Sequence, residues 1–254
     1  MKKYLIFVYG LLCYGAFLFA FLYMIGFLSN QIVPTTIDNG SSTGAVLAIF
    51  INLGLVTLFG MGHSIMARSW FKEWWTRYVP KAAERSTYVL QSSLLLMLIL
   101  WQWQPFPTTL WSIENDVMRM VFWAIFWLGH AITLISTFLI NHFELTGLQQ
   151  IWYNLRGQEP PAMKMRQPLF YRLVRHPMQL GLMIGFWATP DMTVGHLFFA
   201  LSMTGYIMVG LHFEEKSLVR QFGDAYRQYQ QITPMLIPGL RPSLPNRQPT
   251  LGEQ

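Results

Sequence analysis

Apolar residues run along this chain in long blocks, separated by short breaks that hold most of its Pro, Asp and basic residues. Residues 4–28 carry no charge and are long enough to cross a hydrocarbon layer of ~30 Å with some tilt. The block is longer than a signal-peptide core and no small-x-small cleavage site follows it, so it predicts a first spanning helix behind Lys2 and Lys3. Further blocks at 44–67, 86–103 and 119–141 predict three more spans. Residues 180–188 are too few to cross, and Thr189-Pro190-Asp191 interrupts them before a longer block at 194–213. That pair predicts a helical hairpin, one arm going in and the other returning, crossing the bilayer wholly or in part.

The pattern therefore predicts an all-α fold: a polytopic membrane helical bundle of five to six hydrophobic segments, four N-terminal spans plus a C-terminal hairpin. Residues 1–141 form the transmembrane region. Residues 142–238 form a loop, the hairpin and an amphipathic helix, and residues 239–254 a flexible tail. The segment 142–177 is polar and broken by Gly157, Pro160, Pro161 and Pro168, a length at which loops are commonly functional. Within 215–231, Leu218, Phe222, Tyr226 and Tyr229 recur at helical spacing, with Gly223 as the weak point. From Pro234 onward five prolines predict an extended or disordered chain.

Composition agrees with the membrane reading: 53% of residues are hydrophobic, only 12% are charged, and mean hydropathy is +0.32. The net charge of +6 is spread over short loops and forms no stripe that would track nucleic acid. Of 18 Lys and Arg, all but Arg119 fall in the N-terminus, residues 68–85, residues 142–176 or the C-terminal segment. By the positive-inside rule both termini are cytoplasmic, in an integral membrane protein. Trp70, Phe71, Trp74 and Trp75 among the basic residues of 68–85 read first as an interfacial anchor. The single cysteine, Cys13, supports neither a disulfide framework nor a thiolate metal site. Six histidines stand singly, without the i, i+4 spacing of a metal pair, and no Gly-rich phosphate loop or serine elbow is present.

What remains is a constellation at the cytoplasmic edge: Tyr171, Arg172, Arg175, His176 and Pro177 before one hairpin arm, Glu214 and Glu215 after the other. Pro177 biases His176 out of a helix and into a turn. If the hairpin closes, the two groups meet at one depth and form a pocket for a zwitterionic or cationic small molecule. The plainer alternative is that Arg175 and the glutamates only neutralise helix ends.

The spacing Arg175-His176-Pro177-x-x-x-Gly181, followed by Glu214-Glu215-x-x-Leu218-x-x-x-Phe222-Gly223-x-x-Tyr226-x-x-Tyr229, resembles the C-terminal signature of the integral-membrane methyltransferases typified by isoprenylcysteine carboxyl methyltransferase. The resemblance implies a cytoplasm-facing pocket for S-adenosyl-L-methionine, with Tyr171, His176, Pro177 and Glu214 at the cofactor and Arg175, Gln179 and Glu215 beside them. Gln179 replaces the aromatic residue common in the family, and Gly210 and His212 occupy the turn where an arginine would match a substrate carboxylate. Three further stretches are Gly62-His63-Ser64-x-Met66-Ala67-Arg68, Glu84-Arg85-Ser86-Thr87-Tyr88 and Asn141-His142-Phe143-Glu144-Leu145-Thr146-Gly147-Leu148. These are similar to the bacterial methanethiol S-methyltransferase branch of that superfamily and, more loosely, to denitrification-accessory membrane proteins.

The resemblance implies a small thiol substrate, with dimethyl sulfide as product, in the bacterial inner membrane. A thiol attacks as thiolate, so a base or a cationic setting is expected. His142, at the inner end of the fourth span beside Glu144, is the first candidate base; Arg172 and Arg175 would instead act by charge alone. An interfacial histidine satisfied by water or backbone is the alternative for His142. His130 lies 12 residues deeper, ~18 Å along a helix. Two other classes stay open: methylation of a larger lipid, and a non-enzymatic accessory protein.

Overall fold

Helix α1 (Lys2–Ser29) opens the chain and ends at Asn30, whose left-handed backbone returns its N–H to the carbonyls of Gly26 and Phe27. The computed structural model describes residues 1–41, 43–161 and 164–240; the predicted tail lies outside them from residue 241. After α1 come α2 (Ala45–Met66), α3 (Ser69–Trp75) and α4 (Lys81–Gln102), then strand β1 (Thr109–Ser112) and α5 (Asp116–Ile140). Short helices α6 (His142–Thr146), α7 (Leu148–Arg156) and α8 (Phe170–Leu173) lead to α9 (Pro177–Trp187). Strand β2 (Asp191–Thr193), α10 (Val194–Phe222) and α11 (Asp224–Ile232) complete the order.

Helices α1, α2, α5 and α10 are each long and apolar enough to cross a membrane. Their outer faces expose Leu12, Phe50, Leu128 and Leu201 among many large apolar side chains, which only lipid solvates favourably. The chain is an integral membrane protein. Helix α4 packs between α1 and α2, and its buried Ser86, Tyr88 and Ser93 explain why it is less hydrophobic than they are.

Helix α9 spans only 11 residues, ~16 Å, and cannot cross. The chain does reverse between α9 and α10, but α9 packs chiefly on α5. Glycines on both helices permit this: a Cβ on Gly181 would lie 2.5 Å from the Gly129 carbonyl oxygen, and one on Gly129 would lie 2.7 Å from that of Gly181. Helix α10 also runs past the expected end of its span, through Glu214 and Glu215 to Phe222. Gly223, at φ 58°, then breaks the amphipathic stretch in two and starts α11 in a new direction.

The apolar core gathers at the end of the bundle away from the basic loops, where Phe27, Leu100, Trp103, Phe126, Phe186 and Phe199 meet. That end is capped by a feature absent from the sequence reading, an antiparallel ribbon of β1 and β2 with Thr109 opposite Thr193 and Ser112 opposite Asp191. Arg119, the lone basic residue on that side, holds Asp191 through two hydrogen bonds of 2.8 and 2.6 Å. The partnership depresses the Asp191 carboxyl below its ordinary range.

Candidate active site

Pro177 cannot donate a backbone hydrogen bond, so it begins α9 at its first turn and leaves His176 as the residue before the helix. Val174 is extended, and the strand-like run it starts lies against the segment after α11: the N–H groups of Arg175 and His176 donate to the carbonyls of Pro234 (2.9 Å) and Met235 (3.1 Å). The first residues of the expected extended tail are thus pinned to the His-Pro turn, and Leu236 is buried.

The turn closes on one carboxylate. Glu215 Oε1 accepts from Arg175 Nε at 2.7 Å, His176 Nε2 at 2.9 Å and the Tyr226 hydroxyl at 3.0 Å. Its Oε2 accepts from Arg175 Nη2 at 2.9 Å and Gln230 Nε2 at 2.7 Å. The remaining Arg175 nitrogen donates to the carbonyls of Thr233 and Gln230. Arg175 and Glu215 side chains are only 8% and 13% exposed, so these contacts hold two charges largely out of water. Burial, reinforced by the adjacent Glu215, pushes the Tyr226 hydroxyl far above the usual phenol range and keeps it a donor. Tyr229 donates to the Tyr171 carbonyl, and Tyr171 donates to the Ser136 carbonyl at 3.3 Å, tying α11 through α8 to α5.

Adjacent in sequence, Glu214 points about 100° away around the helix. It follows Ile207 by seven residues and Leu211 by three, and both of those are buried, so it stands on the core-facing stripe of α10. Yet it is exposed, with Gln179 Nε2 at 3.4 Å as its hydrogen-bond partner. Its charge reaches Tyr171 on α8, where burial first and that charge second raise the phenol's pKa. On the opposite flank of α10 a cleft of about 740 Å³ is lined by Met208, His212, Glu215, Lys216, Val219, Arg220, Gln230 and Met235.

Of the residues singled out in the sequence, Tyr171, Arg175, His176, Pro177, Gln179, Glu214 and Glu215 come together at this one end. Among the described residues, no side-chain hydrogen bond or ion pair joins His142, Glu144 or Arg172 to them. Arg172 is exposed and donates to the Gln167 carbonyl. Glu144 accepts from the Asn141 amide at 3.1 Å. His142 is buried, stacked on Phe138, with the Tyr14 hydroxyl 2.9 Å from Nε2 and the Thr137 hydroxyl 2.8 Å from Nδ1. Gln230 and the carbonyls of Thr233, Pro234 and Met235 were not foreseen. The spacing of Tyr226 and Tyr229 beyond Gly223 was the one available signal for α11, and it does not say which face docks.

Burial lowers the basicity of His142, so the folded protein keeps its imidazole neutral where the unfolded chain binds a proton near pH ~6.5. Its contribution to stability is whole above that pH and is lost as pH falls through it toward the lower folded value. The thermal midpoint in detergent should therefore drop further between about pH 7.5 and about pH 5.5 for the wild type than for His142→Asn. Equal drops would contradict a buried neutral imidazole.

Fold and site together define a polytopic membrane protein with a hydrogen-bonded polar cluster at the basic end of its bundle. Methanethiol S-methyltransferase of Mycobacterium tuberculosis is 48% identical over 238 residues, 94% of this chain and 98% of its own length. Methanethiol S-methyltransferase 2 of Bradyrhizobium diazoefficiens is 47% identical over 235 residues, 92% of this chain and 90% of its own. Nurim of Bos taurus is 32% identical over 164 residues, 61% of this chain and 62% of its own. No protein-family model and no solved structure matches the chain. The chain belongs to the methanethiol S-methyltransferase family, and it is a methyltransferase.

Proposed function

We propose that this chain transfers a methyl group from S-adenosylmethionine to methanethiol, releasing dimethyl sulfide and S-adenosylhomocysteine, in the inner membrane of a bacterium with both termini in the cytoplasm. Near full-length kinship to enzymes named for methanethiol supports the substrate, and the one-sided distribution of Lys and Arg supports the orientation. The observation that carries the reading is the unequal use of two neighbouring carboxylates. Glu215 is saturated by five hydrogen bonds and fixes the His-Pro turn, whereas Glu214 has one long one and is exposed. A weakly bonded carboxylate at the end of a lipid-bounded bundle suits a ligand with cationic sulfonium and ammonium groups.

S-adenosylmethionine supplies, when bound, a sulfonium methyl carbon open to in-line attack. Glu214, Gln179, Tyr171 and the His176–Pro177 turn would hold it, and Arg172, exposed nearby in sequence, offers charge to its carboxylate. Arg175 and Glu215 act one step back, by holding the turn against α10 and α11. Because displacement at a methyl group asks mainly for alignment and exclusion of water, a rigid, multiply bonded turn at the end of a lipid-bounded bundle is the right support for it.

His176→Ala should weaken S-adenosylmethionine binding at least tenfold by calorimetric titration of the purified protein, since the turn loses its only side-chain bond to Glu215 from the imidazole. An unchanged affinity would remove His176 from the cofactor site. Methyl-labelled cofactor offered with methanethiol or with membrane lipid as acceptor tests the substrate; label in the lipid would favour the larger-substrate reading instead.

A further inference from the structure

Two of the sequence stretches noted above, 62–68 and 84–88, have no part in the cofactor site, yet the fold brings them together against α10. His63 on α2 lies between two hydroxyls of α4, with Nε2 2.6 Å from Tyr88 Oη and Nδ1 3.0 Å from Ser92 Oγ. Phe59 stacks on the imidazole, and Tyr206 of α10 stands edge-on to both rings. Tyr88 is buried and His63 half-buried, so this is a polar chain built inside an apolar helix junction. Such an arrangement is costly unless every hydrogen bond is made. It is also directed at the site. Tyr206 precedes Glu214 by eight residues on α10, and Arg68, five residues beyond His63, stacks on Phe213 beside Glu214.

From this juxtaposition we infer that His63 and Tyr88 form the relay that takes the proton of the thiol substrate, with the thiol seated between Tyr88, Tyr206 and Glu214. The inference rests on the methyl-transfer reading above. At neutral pH only about a few per cent of an ordinary thiol is thiolate, so the proton has to leave as the sulfur attacks. The thiol S–H bond breaks as its proton passes to Tyr88 Oη, and the Tyr88 proton passes to His63 Nε2. The sulfur's electron pair forms the new S–CH3 bond while the donor's S–CH3 bond breaks, and its electron pair stays on the departing sulfur. His63 ends as imidazolium, donating from Nδ1 to Ser92 and from Nε2 to Tyr88. Because both partners are hydroxyls, which accept as well as donate, the ring gains a proton without losing a hydrogen bond. The proton then returns to solvent from His63, which is only half-buried.

Four other charged or titratable groups face the pair. Arg85 lies over the Tyr88 ring with its Cζ 5.0 Å from the centroid, and Glu84 acts on Tyr88 from the same helix. Glu214 and Tyr206 face it from α10. At its own end of α2, Arg68 stacks on Phe213 at 4.4 Å, one residue before Glu214. His142 has a comparable pair of hydroxyl partners, but these come from α1 and α5, whereas the ring of Tyr206 on α10 stands against His63.

The test is the pH dependence of methanethiol methylation by the full-length protein in detergent, for wild type, His63→Gln and Tyr88→Phe. S-adenosylmethionine affinity, measured by calorimetry, serves as the control for folding. Turnover of both variants should fall about 100-fold near pH 7 and recover about tenfold per pH unit as thiolate forms in solution, with cofactor affinity within twofold of wild type. A variant that binds cofactor normally and keeps the wild-type rate and profile overturns the relay. So does a loss of rate with no recovery at high pH, which is what a packing role would give. If His63→Gln fails to bind cofactor, Tyr88→Phe, which preserves the ring, decides by the same criteria. Appearance of the pH slope in His142→Gln instead would also overturn the relay. A wild-type protein that binds cofactor but leaves methanethiol unmethylated overturns the functional reading itself.

Discussion

Glu215→Ala should abolish cofactor binding and lower the thermal midpoint more than any other single substitution at the site. Removing the carboxylate leaves the Arg175 guanidinium, 8% exposed, with only the carbonyls of Gln230 and Thr233. It also strips an acceptor from His176, Tyr226 and Gln230 at once. Breaking one partner out of a buried ion pair costs about 3–5 kcal/mol, chiefly because the other charge stays desolvated. That is a large share of the ~5–15 kcal/mol that holds a typical domain folded. Glu215→Gln keeps the shape but not the charge, and should fall between. Thermal melting in detergent and calorimetric titration read the two effects; a Glu215→Ala protein with the wild-type midpoint would mean that Arg175 is satisfied without its carboxylate.

The second large effect is expected from Gly181→Ala, far smaller as a chemical change. A Cβ there would sit 2.5 Å from the Gly129 carbonyl oxygen and 2.7 Å from the Thr133 backbone nitrogen, both fixed in α5. Neither can yield as a flexible side chain would, so α9 has to move away from α5. Overpacking of this kind costs about 1–3 kcal/mol or more. The movement also strains the bond from the Thr133 hydroxyl to the Met178 carbonyl, two residues from His176. Activity should therefore fall along with the melting midpoint. Gly15→Ala is the control: nothing lies within 4 Å of a Cβ at that position, and it should melt at or above the wild type. Equal behaviour of the two variants would refute the close α5–α9 contact.

The long helices were legible in the sequence because a lipid-bounded backbone must bond within itself, which leaves uncharged blocks of spanning length as a direct record of α1, α2, α5 and α10. The meeting of the His-Pro turn with the glutamates was legible too, from motif spacing. What the spacing left open was phase and partner. Glu214 and Glu215 are equivalent in a string of letters, and only the packing of α10 decides that Glu215 binds Arg175 while Glu214 stays exposed beside Gln179. The docking of α9 on α5 depends on glycines some fifty residues apart, Gly129 and Gly181, which a local pattern does not connect. The β1–β2 ribbon joins segments about eighty residues apart and is too short to leave a periodic signal. His142 sits near the basic end as its position in the chain suggests, but its ring is enclosed by Tyr14 of α1, 128 residues away. The chain at Pro234 and Met235 is anchored to the His-Pro turn by backbone bonds that no side-chain pattern encodes, and residues 235–239 bend and turn instead of running extended.

The measurement that bears most directly on this account is gas chromatography with mass detection of the headspace over purified protein supplied with methyl-deuterated S-adenosylmethionine and methanethiol. Dimethyl sulfide carrying one deuterated methyl group, formed by the wild type and lost with Glu215→Ala, is the predicted result. Undiminished dimethyl sulfide from Glu215→Ala, or label that appears only in lipid, would contradict it.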